Sequence, residues 1–185
     1  MTAYLRIDVN STCVQQLERC AEHVKACGSD PDRLIDAIRC AHLAALAAMI
    51  GALVGSAGVG AYDEKLAGKH LKYLRERDDQ PSLSYPEERT LSFAEALKAV
   101  QERGRLEYGG PVVLTKSESV LAGELDFYRQ LIDHPKPTSW SVPVEDIRDA
   151  VRFAPLIINR LRPTNHHLFD FADRIEVASS IVAAV

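Results

Sequence analysis

The chain has no C-x-x-C pair, no excess of positive charge and no phosphate-cradling glycine loop, and each absence closes off a class of function. Without a C-x-x-C pair a zinc knuckle is not expected. The formal net charge is -4, so the molecule as a whole is not a basic nucleic-acid coat. Any RNA contact must come from a local patch, and salt will weaken it. Gly55, Gly58 and Gly60 are not followed by the lysine of G-x-x-x-x-G-K-[ST], so a Walker-type nucleotide site is not expected. The opening MTAYLRIDVNST lacks a basic segment ahead of an apolar one, so no signal peptide and a cytoplasmic location are expected. No internal repeat or low-complexity tail is visible. Ala44 to Ala61 is uncharged but dominated by Ala and Gly. It reads as a buried helix running into a glycine-rich loop, not a membrane span.

What is present is enough for one domain over residues 1–185, since 46% of the residues are hydrophobic. Cysteines stand at 13, 20, 27 and 40. The first three are seven apart, so on a helix they form one stripe with members roughly 10 Å apart along the axis. That is too far for a disulfide between them, and they read as core or seam thiols in a reducing compartment.

The pattern is helical throughout. Ser11 is placed to cap a helix reaching about Cys27, closed by Gly28. Asp30-Pro31 opens a long helix to about Val54, whose apolar positions fit a 3.6 period. Asp63 starts a third helix with Leu66, His70, Tyr73 and Leu74 inward. Ser92 and Glu95 form a capping box for a short helix to about Arg103, and Thr115 and Glu118 form another for a helix ending at about Asp133. A helix from about Val144 to Leu161 contains Pro155, which should kink or divide it. Thr164 is placed to cap a last helix. Short connections between long amphipathic helices predict an all-α antiparallel bundle of six or seven helices.

The most informative segment is Tyr128-Arg129-Gln130-Leu131-Ile132-Asp133-His134-Pro135. Arg129 and His134 are five apart, and on a continuous helix they would point about 140° apart. Pro135 disfavours helical geometry at His134, which frees the imidazole to swing toward the guanidinium. Cleaving RNA needs a base for the 2′-hydroxyl proton and an acid for the leaving oxygen, and an imidazole can serve as either. An arginine fork can hold the phosphate and offset charge that develops on it. Neither role needs a metal. Similar spacings recur at Arg160/His166, Arg160/His167 and Arg162/His167, but these straddle Pro163. Spacing alone does not separate chemistry from a surface salt bridge or a helix C-cap.

The stretch from Leu91 to Leu161 resembles the HEPN superfamily, in its bacterial stand-alone branch. The resemblance is carried by Leu91-Ser92-Phe93-x-Glu95-Ala96-Leu97, then by Leu114-Thr115-x-x-Glu118. The specific part is Tyr128-Arg129-x4-His134-Pro135-x-Pro137-x-x-Trp140-Ser141. It implies a helical bundle that forms a homodimer with two R-x4-H motifs facing one cleft, and metal-independent cleavage of RNA as a toxin or defence effector held by an antitoxin protein. Arg129 and His134 match the motif pair. Gln130 stands where the family often has a polar residue after the arginine; it cannot titrate but can orient a phosphate. Position 136 is Lys rather than the Tyr of members modified by a partner nucleotidyltransferase.

Further RNA contacts are expected from Lys136, beside the motif, and from Arg148 and Arg152, which at i,i+4 share a helix face. Trp140, at a chain reversal, reads as a packing anchor rather than a base-stacking face. His166, His167, Asp170 and Asp173 have spacings compatible with a metal, but two adjacent histidines at a helix start read as exposed or capping residues. No cofactor, metal or membrane association is expected. The alternative is a non-catalytic dimeric helical domain that binds a protein partner or a nucleotide, favoured by the acidic net charge and by Gln130.

Overall fold

A computed structural model describes residues 8–80, 82–134, 137 and 139–184. Among these are eight α-helices, two 3-10 turns and no strand, apart from an isolated bridge between Tyr62 and Thr90. The molecule is an all-α helical bundle, as its sequence pattern predicts.

Helices α1 (Val9–Ala26) and α2 (Arg33–Leu53) form an antiparallel hairpin. Its far end is marked by Gly51, whose α-carbon faces Val9 and Asn10. The cap of α1 is Asp8, not Ser11: the Asp8 carboxylate accepts from the backbone of Asn10 and Ser11 and from the Ser11 hydroxyl, so Ser11 is a donor inside the first turn. Likewise α2 starts at Arg33, two residues past Pro31.

Helix α2 is the axis of the bundle. It packs against α1, α4 (Phe93–Gln101), α5 (Lys116–Asp133), α6 (Val144–Val151) and α7 (Phe153–Leu161). Its alanines make this possible, because small side chains let several helices approach one. By length and composition α2 is apolar enough to cross a membrane, but two thirds of the relevant stretch is covered by other helices. It ends at Leu53, and the chain turns back through Gly55, which has a φ of +61°. Gly60 then packs so tightly on the end of α2 that a β-carbon there would lie 1.9 Å from the Leu53 carbonyl oxygen.

Helix α3 (Glu64–Glu76) is capped by Asp63 onto the Leu66 amide and buries Leu66 and His70. Leu74, expected inward, is exposed. Both predicted capping boxes are present, Ser92/Glu95 on α4 and Thr115/Glu118 on α5. Helix α4 stops at Gln101, where Glu102 turns extended.

Pro155 divides the 144–161 stretch into two helices, one of the two outcomes the sequence allows, and the break falls at Arg152. Pro155 has no N–H for the carbonyl of Val151, and its ring crowds that carbonyl. The helix therefore ends at Val151 and restarts at Phe153, with buried Pro155 in the first turn of α7, where a missing donor costs nothing. Thr164 does not cap the last helix. Its hydroxyl donates to the Leu161 carbonyl at 2.7 Å within a 3-10 turn. A second 3-10 segment, His166–Phe171, precedes α8 (Ala172–Ala183), which lies along α1 and is pinned there by Arg174 on Glu18 at 2.7 and 2.6 Å.

All four cysteines are buried and free, consistent with core thiols. Trp140, expected as a packing anchor, is instead 55% exposed.

Candidate functional site

The last two turns of α5 carry two faces. Leu125 and Tyr128 are buried in the core. Asp126, Arg129, Gln130 and Asp133, at i, i+3, i+4 and i+7, form a polar stripe. Helix α2 presents a matching stripe of Asp36, Arg39 and His42 on an otherwise apolar helix. The two stripes meet. Arg39 Nε donates to Asp133 Oδ1 at 2.8 Å, and Arg129 Nε lies 3.0 Å from Asp133 Oδ2, so one carboxylate is shared by two guanidiniums. One to two turns away, His42 Nε2 meets Asp126 Oδ1 at 3.0 Å while Gln130 donates to Asp126 Oδ2 at 2.8 Å. The His42 ring also stacks on Phe93, with centroids 4.4 Å apart.

Charges are tuned accordingly. The hydrogen bond from Arg39, joined by the charges of Arg129, Arg39 and His134, holds the Asp133 carboxyl below the usual aspartate range. Burial lowers the pKa of His42 despite the opposing pull of Asp126, favouring the neutral ring. With a carboxylate as partner, that ring carries its proton on Nε2.

Helix α5 ends at Asp133, as expected. The His134 amide still bonds the Gln130 carbonyl at 3.0 Å, but His134 itself has left helical geometry, at φ -124° and ψ 70°, and is exposed. Arg129 is held by Asp133 through Nε. Among the described residues its two Nη groups make no hydrogen bond and so remain open to an anion. The structure thus brings Arg129, Gln130 and His134 to one exposed end of α5, with Asp133 within electrostatic reach of both Arg129 and His134.

The other predicted RNA contacts lie apart from this cluster. Arg148 turns toward the end of α1, bonding Glu145 at 2.9 Å and the Cys27 sulfur at 3.7 Å. Arg152 bonds Asp149 at 2.6 Å and lines a recess with Ser117, Leu121 and Glu124, in the first half of α5. Leu121 is about 12 Å along the helix from Arg129 at 1.5 Å per residue. Their i,i+4 spacing therefore does not give the two arginines a common target. Lys136 lies outside the described residues.

His166 and His167 are exposed at the start of a 3-10 segment, and His166 packs against Tyr108 and Phe169. No group of three or more metal-binding side chains occurs among the described residues. Sequence reasoning missed Arg39, His42, Asp126 and Asp133. The signal available was the series Arg33, Asp36, Arg39 and His42, each three apart, on a largely apolar helix.

Comparison with known proteins adds no relative: no family model, no curated protein and no solved structure matches the chain.

Proposed function

We propose that the protein is a metal-independent endoribonuclease of the HEPN type, working as a homodimer in a toxin–antitoxin or defence module. The observation that carries this reading is the arrangement at the end of α5. Asp133 grips Arg129 through Nε and leaves both Nη groups open, while His134, one residue on, is exposed and outside the helix. Arg129 would clamp a scissile phosphate and offset charge on its oxygens. His134 would take the 2′-hydroxyl proton in one direction of transfer and supply a proton to the leaving 5′-oxygen in the other. Gln130, held by Asp126, would fix the substrate without titrating. The second copy would supply the second Arg129 and His134 to one cleft. Leu43 and Phe127, next in sequence to His42 and Asp126, are large exposed apolar side chains and suit such a contact.

Purified protein incubated with total RNA and excess chelator tests the reading. Expected are fragments ending in a 2′,3′-cyclic phosphate and a 5′-hydroxyl, and their loss in His134→Ala and Arg129→Ala. Absence of cleavage across several RNAs removes it.

A second reading is a non-catalytic dimeric domain that binds a protein partner or nucleotide. It is favoured by the use of Arg129 in a bridge that also ties α2 to α5. It predicts that Arg129→Ala weakens the fold and abolishes no reaction.

A further inference from the structure

We propose that a groove between α3 and the segment that returns across it binds single-stranded RNA, with a base stacked on Tyr85 and the backbone against Lys69 and Lys72. This rests on the RNA-directed reading above and adds a contact away from the R-x4-H motif.

Lys69, Lys72 and Tyr73 fall at i, i+3 and i+4 of α3 and share one face. Together with Leu83, Tyr85 and Pro86 they line a recess of about 310 Å³. That is at the small end of ligand pockets, a size suited to one flat ring system.

The aromatic rings are fixed before any ligand arrives. His70 is 4% exposed and donates from Nε2 to the Glu87 carbonyl at 3.0 Å, anchoring the returning segment to α3. Tyr62 stacks on His70 at 4.5 Å, and Tyr85 packs nearly perpendicular to His70 at 5.3 Å and to Tyr73 at 5.1 Å. The Tyr85 hydroxyl donates to Glu88 at 2.7 Å. Tyr85 is thus held from three sides and still 56% exposed. A large ring both immobilised and open to solvent loses little freedom when a base settles on it.

Charge then selects the occupant. The recess is lined by two lysines and by no carboxylate. Among the described residues Lys69 has no ion-pair partner, and Lys72 reaches Glu76 only at 3.9 Å with its side chain 68% exposed. Aromatic rings beside one ammonium group with no ion-pair partner among the described residues and one loosely paired match a strand of unpaired bases on a phosphate backbone. A duplex hides its base faces, and an acidic peptide leaves the rings unused.

The test is fluorescence anisotropy with a labelled oligouridine of roughly ten nucleotides, in a His134→Ala background so that the probe stays intact. Tyr85→Leu is expected to weaken binding about 5- to 150-fold, and Tyr85→Phe, which keeps the ring, to hold it within about twofold. Replacing Lys69 and Lys72 together by Ala should reduce the slope of log Kobs against log salt by about 1.4. All of these side chains except the Tyr73 ring contact are at the surface, so the variants should fold. Unchanged binding in Tyr85→Leu, or an unchanged salt slope in the double variant, overturns the proposal. So does tighter binding of poly-glutamate than of oligouridine, which assigns the groove to an acidic protein. Cleavage of total RNA is scored separately. A protein that cuts RNA but whose binding ignores these substitutions keeps the nuclease and loses the groove. Binding that depends on them in a protein that never cuts keeps the groove and loses the nuclease.

Discussion

Arg39 Nε donates to Asp133 Oδ1 at 2.8 Å across 94 residues of sequence, while the second oxygen of that carboxylate holds Arg129 at 3.0 Å. One side chain therefore does two things: it joins α2 to the end of α5, and it aims the guanidinium of the proposed site. The two roles can be separated by choosing which partner to remove.

Asp133→Ala removes both contacts, and Arg39→Ala removes only the helix-to-helix one. Each should cost about 1 kcal/mol or less in denaturant melts, because these pairs sit at a half-open surface. Cleavage should separate them. A loosened Arg129 fork is expected to lower the rate in Asp133→Ala on the order of 100-fold, and Arg39→Ala should stay far closer to the parent. Equal losses in the two variants would mean that Asp133 serves the fold alone. Because the folded pKa of Asp133 is depressed, the stability it contributes is present above the ordinary aspartate value and is lost as pH falls below it. That acid limb should be reduced in Asp133→Ala.

Two glycines should respond oppositely to the same change. In Gly60→Ala the new methyl would sit 1.9 Å from a backbone oxygen at the end of α2, where neither side can yield cheaply. A loss on the order of 3 kcal/mol or more is expected. Gly68 lies in the exposed interior of α3 with nothing within 4 Å of an added β-carbon. Gly68→Ala should stabilise by about 0.5–1 kcal/mol through helix propensity. Urea midpoints of the two variants check both signs.

Features set by neighbours within one turn were legible in the sequence. The capping boxes at Ser92/Glu95 and Thr115/Glu118 and the end of α5 at Asp133 are decided by residues three or fewer apart. Where two local options compete, the pattern does not choose between them. Asp8 displaces Ser11 as cap because its carboxylate takes two amides at once, and Thr164 bonds back to Leu161 instead of forward. Pro155 announces a kink or division of the 144–161 helix but not its position, which falls at Arg152 because the missing donor is felt at the Val151 carbonyl. At the candidate site, Arg129 and His134 were visible as a spaced pair at the end of one helix, the arginine in its last turn and the histidine just past it. Their supports were not, because Arg39 and His42 reach α5 across 94 and 84 residues, a relationship only tertiary packing creates.

The buried thiols should be chemically silent in the native protein. Burial pushes the Cys13 thiol up to about 12 and raises Cys20 as well, with Cys40 close enough to add to the effect. Only a thiolate attacks a disulfide reagent. An aromatic disulfide reagent should therefore label Cys13 and Cys20 only as fast as the protein opens, and all four cysteines at once in denaturant. Rapid native-state labelling at Cys13, located by peptide mapping, would contradict the packing of α1 on α2.

His42 should make stability depend on pH near neutrality. Burial and three charged groups act on its ring: burial and the Arg129 charge lower its pKa, while Asp126 and Asp133 raise it, and the net is downward. Below its unfolded value of about 6.5 the unfolded chain then binds a proton that the folded chain refuses, so protonation favours unfolding. Stability should be full above that pH and decline as pH falls from there through the lowered folded value. His42→Phe can keep the stack on Phe93 but leaves Asp126 with Gln130 as its remaining side-chain partner. At pH about 8 the variant should be less stable by about 1–3 kcal/mol, the cost of a half-buried carboxylate losing a donor. Toward pH about 5.5 the gap should narrow, because the parent is losing what the variant never had. Urea melts at several pH values measure the gap directly. A gap that stays constant over that range would mean that His42 is not held neutral by its surroundings.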